Sequence, residues 1–281
     1  MNKEYIQAEF DITNAEIDEE KLETLSYVQR IYYSLLENRE TGKKTLYIYG
    51  RTYDDILTSA KVISGNFNLE HYKKKKIFEK NYLLKYLKTY KPFNVGKYRV
   101  IPYFHKTKVK SRKTEIIMNP GFSFGTGEHP TTKLVLLLMS DLDLTGLDVL
   151  DCGVGSGILS IAASKSGAGR VVGFDIDDSI VVSTEENAKL NRTKNARFIL
   201  GTLDRIKKSE MFDIFLVNML SHEFKTFFAN LMPHARVGSS VLVSGILLSE
   251  ESEIEKYFKL MGMKIIEKKV LGEWLGYSLS F

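Results

Sequence analysis

The sequence predicts an α/β protein, in which a doubly wound parallel sheet over residues 119–281 follows a small α+β domain of split βαβ, ferredoxin-like type. Three observations carry this. From Asn119 onward, strand-like runs, glycine turns and helical runs succeed one another. Before it, shorter strand and helix patterns alternate. The length of 281 residues, with 43% hydrophobic and 27% charged, suits two domains with ordinary cores.

In chain order, Tyr5 to Ile12 alternates as a strand, and Glu16 to Leu36 carries Ile17, Leu22, Leu25, Val28, Ile31 and Leu35 at helical spacing. Thr45 to Tyr49 reads as a strand, Asp54 to Ile63 as a helix, and Tyr72 to Phe78 as a strand despite four lysines. These make up residues 1–80, the expected substrate-recognition domain. A helix over Asn81 to Tyr90 and a hairpin of Tyr98 to Phe104 with Thr114 to Met118 are expected to form a linker over 81–118. The main domain then reads as helix Lys133 to Ser140, strand Leu147 to Leu150, helix Gly157 to Ser166, strand Arg170 to Asp175, helix Ser179 to Asn191 and strand Phe212 to Asn218. Strand Ser240 to Gly245, helix Glu250 to Met261 and an antiparallel pair, Lys264 to Leu271 with Gly276 to Phe281, complete it.

Composition narrows the classes. One cysteine, Cys152, excludes an intrachain disulfide, and the five histidines lack metal-site spacing, so no metal and a reducing, cytoplasmic setting are expected. The N-terminus carries Lys3, Glu4 and Glu9 where a signal peptide needs an apolar run, so neither secretion nor a membrane is expected. The net charge of +5 is modest, but residues 73–113 hold fifteen Lys or Arg against Glu79 alone. That segment reads either as a solvated face or as a surface for an acidic partner such as ribosomal RNA.

The chemistry centres on Asp151-Cys152-Gly153-Val154-Gly155-Ser156-Gly157, between a strand and a helix. Glycines there let a ligand touch backbone amides at a helix N-terminus. A dinucleotide fingerprint needs its third glycine one residue later, where Ile158 stands, and no Lys-Ser/Thr pair follows for a triphosphate. The remaining pattern is Asp-x-Gly-x-Gly-x-Gly, typical of S-adenosyl-L-methionine sites, with Asp151, Gly153, Gly155 and Gly157 as its members. Asp175 ends the next strand, where a carboxylate accepts both ribose hydroxyls of an adenosyl group. Asp177 and Asp178 read as caps of the following helix. Asn218 ends a later strand, either as a turn residue or as an amide aimed at the reacting region. Asn119 to Thr132 is a glycine-rich stretch ending on Thr131-Thr132, read either as a loop covering the ligand or as a capped helix after a linker.

These residues resemble the ribosomal protein methyltransferase A family. The resemblance rests on Phe124-Gly125-Thr126-Gly127-x-His129-Pro130-Thr131-Thr132, the glycine loop with Ile158-Leu159, Gly173-x-Asp175-Ile176-Asp177, Val217-Asn218-x-Leu220, Ser244-Gly245-Ile246-Leu247 and Glu273-Trp274. It covers residue 78 to the end. Asn119, Ser123, Glu128 and Met219 depart from the usual pattern without touching a cofactor position. The resemblance implies a Rossmann-like, seven-stranded class I methyltransferase domain, with cofactor contacts by Thr132, Gly153, Asp175 and Asn218. It implies methylation of lysines and the N-terminal amine of the eleventh large-subunit ribosomal protein, which the N-terminal domain would dock. Asn218 would hold the amine, and His129 reads either as a proton relay or as a residue packing the loop. A methyltransferase of the same fold with another lysine or small-molecule target, a non-catalytic cofactor-binding module, and a nicotinamide-dependent dehydrogenase are the alternatives.

Overall fold

The computed structural model describes residues 4–29, 31–37, 41–50, 52–78, 90–105, 111–119 and 127–281. The chain divides into two units, residues 1–90 and 91–281.

The first unit is a four-stranded antiparallel sheet with strand order β2-β3-β1-β4, built from β1 (Glu4–Asp11), β2 (Tyr32–Glu37), β3 (Lys44–Gly50) and β4 (Lys73–Phe78). Helices α1 (Glu19–Val28) and α2 (Tyr53–Phe67) complete the connectivity β-α-β-β-α-β. Period-two alternation sends Ile6, Ala8, Phe10, Leu46 and Ile48 into one core with Ile56, Ala60 and Ile63 of α2. Helix α2 starts at a capping box, with Thr52 accepting from the Asp55 N–H and the Asp55 carboxylate accepting from the Thr52 N–H.

One sequence expectation fails here. The helix drawn from Glu16 to Leu36 ends at Val28, and Tyr32–Glu37 is a strand. Ile31 and Leu35 are four apart, but Ile31, Tyr33 and Leu35 all pack on the core, which is a strand period that helical spacing at 31 and 35 concealed. Lys73 to Lys76 are all exposed on β4, the edge of the sheet. Such charge blocks edge-to-edge pairing with other chains.

The second unit contains a seven-stranded sheet, order β10-β9-β8-β11-β12-β14-β13. Its strands are β8 (Asp148–Cys152), β9 (Arg170–Asp175), β10 (Ala196–Leu200), β11 (Phe212–Asn218), β12 (Ala235–Leu247), β13 (Lys264–Leu271) and β14 (Trp274–Ser280). The first five run parallel, and β14 runs antiparallel to β12 and to β13. Alternate residues go to opposite faces. Val149, Ile214, Leu216 and Leu242 face α3 (Pro130–Ser140) and α4 (Ile158–Lys165). Leu150, Phe215, Val217, Val241 and Val243 face α6 (Ser221–Phe228) and α7 (Glu251–Leu260). Helix α5 (Asp178–Leu190) packs beside β9 and β10. From β8 the chain proceeds outward to β9 and β10, then returns to β11 on the other side. The crevice between β8 and β11 is therefore the topological switch point, where open α/β sheets bind ligands at the carboxyl ends of the strands.

Residues 91–118 belong to this unit. Strands β5 (Phe93–Val95), β6 (Tyr98–Pro102) and β7 (Thr114–Met118) form a small sheet whose Val95, Tyr98, Val100, Ile116 and Met118 share the core of α3 and α4. The hairpin expected between the last two strands is not one: β6 and β7 pair in parallel, and the antiparallel partner of β6 is β5. Both β6 and β7 are short and apolar, so the sequence fixes their strand character but not their direction. The expected linker helix, with residues 81–89, lies outside the described residues.

Candidate cofactor and acceptor site

Strand β8 delivers Asp151 and Cys152 to the switch point, and the glycine loop follows. The Gly153 and Val154 N–H groups both donate to the Phe174 carbonyl at 3.0 Å, which fastens the loop to the end of β9. Gly153 has φ +72, and a side chain there would enter open space, so backbone conformation rather than crowding calls for glycine. Gly157 is constrained twice: its φ is +82, and an added Cβ would lie 2.7 Å from Thr184 Cγ2. Gly157→Ala is expected to cost roughly 1–2 kcal/mol, read as a lowered denaturation midpoint.

Helix α5 draws back the loop's carbonyls. Thr184 Oγ1 donates to the Gly155 carbonyl at 2.6 Å, and Asn187 Nδ2 donates to the Ser156 carbonyl at 2.9 Å. Asn187 Oδ1 also accepts from the Asn119 N–H at 2.7 Å, so one buried amide joins the glycine loop to the strand exit that leads into the Asn119–Thr132 stretch. Residues 120–126 of that stretch lie outside the described residues.

Asp175 ends β9. Its Oδ2 accepts from the Gly155 N–H at 3.1 Å and its Oδ1 from the Asp177 N–H at 3.2 Å. A carboxylate offers about four lone-pair positions, so its capacity extends to two hydroxyl donors as well. Asp177 precedes α5, which begins at Asp178. Across the crevice, Asn218 at the end of β11 donates through Nδ2 to Thr132 Oγ1 at 3.2 Å, joining positions 86 apart in sequence. The carboxylate, the glycine loop and this amide thus all stand at the carboxyl ends of the parallel strands, and they suit a ligand that presents hydroxyl groups to Asp175.

Asp151 has another place. It is 1% exposed, and its Oδ2 accepts from Ser160 Oγ at 2.6 Å, beneath the loop. Burial pushes its pKa up to about 7; the Ser160 bond opposes the rise, and the charge of Asp175 adds to it. The folded protein therefore binds more protons than the unfolded chain between about pH 4 and 7, and this group's contribution to stability falls as pH rises through that window. Asp151→Asn, which mimics the protonated form, is expected to remove that slope. Melting temperatures of the two proteins should diverge from pH 4.5 to pH 7.5, with the variant gaining.

His129 caps α3: its Nδ1 accepts from the Thr131 N–H at 3.3 Å and lies 2.8 Å from Thr131 Oγ1. Its ring meets Trp274 edge-on, with centroids 5.2 Å apart. Burial, helped by the Lys133 charge, lowers its pKa to about 3, so the ring is neutral at pH 7 and a weak proton acceptor. This geometry favours packing and capping over the proton relay. Cys152 is buried, and burial raises its thiol pKa well above the ordinary value, which suppresses thiolate chemistry.

Sequence reasoning overlooked Ser160, Thr184 and Asn187. The last two had a signal: Thr184 and Asn187 on the buried side of α5, and Asn191 just past its end, recur at helical spacing where polar side chains need partners.

The second unit has the class I methyltransferase fold. The chain superposes on a crystal structure of ribosomal protein L11 methylase from Lactobacillus delbrueckii subsp. bulgaricus with a TM-score of 0.63 and 30% identity, over 68% of this chain and 98% of that one. The family model for ribosomal protein L11 methyltransferase (PrmA) matches residues 6–280. The chain belongs to that family. Curated relatives of the same name include those of Caldanaerobacter subterraneus, 36% identical over 67% of this chain and 60% of the relative, and Caldicellulosiruptor bescii, 33% identical over 70% and 64%. The matched region thus spans about three fifths of those relatives' length. The family match reaches residue 6, well before residue 78, where the motif resemblance begins.

Proposed function

We propose that this chain transfers methyl groups from S-adenosyl-L-methionine to amines of ribosomal protein L11, on lysine side chains and the N-terminal amine. The observation that carries the reading is the placement of Asp175, the glycine loop and the Asn218–Thr132 pair around one switch point in a chain of this family.

When bound, the cofactor supplies a sulfonium methyl group for direct displacement by an amine. Asp175 would accept from the ribose hydroxyls, while Gly153, Gly155 and Gly157 let the loop lie close to the ligand and Thr132 keeps the Asn218 amide in place. Asn218, donating through Nδ2 to Thr132, would present its carbonyl oxygen to an N–H of the acceptor and so direct the nitrogen lone pair. A lysine must first lose its proton, which costs roughly 4–5 kcal/mol at pH 7. An apolar surround disfavours the ammonium form and offsets part of that cost. No enzyme nucleophile takes part in this scheme.

Support for the partner comes from the family and from the names of its members. The ribosomal RNA contact considered for residues 73–113 has no such support. Lys73 to Lys76 guard a sheet edge, and Lys97 and Lys113 donate to the Leu142 and Gly96 carbonyls. Among the described residues no helix is long and apolar enough to cross a membrane.

The test is incubation of unmodified L11 with the chain and methyl-labelled cofactor, followed by peptide mass spectrometry. Label on L11 lysines is expected. Label on another protein or a small molecule, with L11 bare, would favour the alternative acceptor, and cofactor binding without transfer would favour a non-catalytic module.

A further inference from the structure

Asn218 belongs to a closed circuit of contacts formed by four neighbouring segments. Its Nδ2 bonds Thr132, on the helix that His129 caps, and His129 packs on Trp274. Trp274 follows the β13–β14 turn, where the Glu273 carbonyl accepts from the Leu248 N–H at 2.7 Å. Leu248 opens a short 3-10 turn (Leu248–Glu250) at the end of β12. Glu250 there closes the circuit: Oε2 accepts from the Leu247 N–H at 2.9 Å, and Oε1 accepts from Ser221 Oγ at 2.5 Å. Ser221 is the first residue of α6, three positions after Asn218, and is 3% exposed.

We propose that Glu250 is a positioning residue for the transfer step, a strap between the turns leaving β11 and β12 that fixes the bearing of the Asn218 amide; this rests on the reading of the site given above. Beyond Asn218, the β11 turn is anchored to β12 by the Met219 N–H, which donates to the Ser244 carbonyl at 3.2 Å. At the start of α6, the Ser221 hydroxyl continues that anchorage to Glu250. Removing the carboxylate leaves a buried hydroxyl without its acceptor and uncaps the 3-10 turn in the same stroke. Both turns then relax. An amide that directs a lone pair loses rate steeply with small displacements, since a shift of about 1 Å can cost roughly 100-fold. Cofactor binding rests mainly on Asp175 and the glycine loop, at the ends of β9 and β8, and depends little on the strap.

Glu250→Gln tests the geometry rather than the charge. Its Oε1 can accept from the Leu247 N–H while its Nε2–H donates to Ser221 Oγ, which then serves as acceptor. Ser221→Ala separates the two arms, because it deletes the cross-turn bond and leaves the Leu247 cap in place.

The experiment measures kcat, affinity for S-adenosyl-L-homocysteine and amide hydrogen exchange over residues 219–221 and 247–248 in wild type, E250A, E250Q and S221A. The expected result is a kcat roughly 10- to 100-fold lower in E250A and S221A, with product affinity within about threefold of wild type and faster exchange at 219–221. E250Q should recover to within about threefold of wild type. S221A turning over like wild type, or E250Q as slow as E250A, overturns the proposal. If wild type itself transfers no methyl to a ribosomal amine, the functional reading fails, and exchange alone decides the strap: unchanged protection at 219–221 in E250A overturns it.

Discussion

Replacing Asp175 by alanine is expected to weaken S-adenosyl-L-methionine binding by roughly 100- to 1,000-fold, because hydrogen bonds to a charged group contribute about 1.5–3 kcal/mol each and each 1.4 kcal/mol is tenfold. Two such bonds, one to each ribose hydroxyl, set the lower end of that range. Loss of the bonds that Asp175 accepts from the Gly155 and Asp177 N–H groups adds to the effect. Without it the glycine loop loses one of its ties to β9 and keeps those to the Phe174 carbonyl. Equilibrium dialysis with labelled cofactor reads the effect directly. Asp175→Asn should fall between the two, since an amide still accepts on one oxygen but cannot receive both hydroxyls with a charge. Undiminished affinity in the alanine variant would remove Asp175 from the site.

The second large effect concerns turnover. Asn218→Ala is expected to lower kcat by roughly 100- to 1,000-fold, the range seen when a single preorganised hydrogen-bonding group is deleted at a reacting centre. Affinity for S-adenosyl-L-homocysteine should change far less than in the Asp175 variant, although Asn218 also touches Thr132 and a modest loss is expected through that bond. Single-turnover kinetics with saturating cofactor separates chemistry from product release. A variant that binds cofactor ten times more weakly but turns over normally would make Asn218 a binding residue and leave the orientation of the amine to another group.

The two variants define what the sequence disclosed. The strand-end places of Asp175 and Asn218 were legible because each follows an apolar run, and in open parallel sheets such ends are where ligands bind. The glycine spacing was legible for a similar reason: positive backbone angles at Gly153, Gly155 and Gly157 leave few other residue choices. Asp151 lay inside the same motif, but the sequence could not show that it points into the interior toward Ser160. That orientation follows from the pleat of β8, where Asp151 and Cys152 face opposite ways.

Other features were hidden by their physics. Ala196–Leu200 is a strand at the sheet's edge with half-exposed residues, so it lacks the apolar run that marked β9 and β11. Helix α6, Ser221–Phe228, is only eight residues long, too short for its period to stand out. The parallel pairing of β6 and β7 depends on the path of the chain between them, which local composition does not encode. Thr184, Asn187 and Glu250 act on backbone atoms or a hydroxyl about 30 residues away. Contacts of that kind are fixed by tertiary packing: beyond the helical spacing of Thr184 and Asn187, the sequence holds no sign of them, and Glu250 looks like an ordinary surface polar residue.

The proposed function requires an adenosyl ligand to lie across the carboxyl ends of β8, β9 and β11. Calorimetric titration of the purified chain with S-adenosyl-L-homocysteine, at two temperatures so that a vanishing enthalpy at one cannot hide binding, tests it most directly. A saturable isotherm with one ligand per chain is the predicted result. A folded protein that gives no binding heat at either temperature would contradict it.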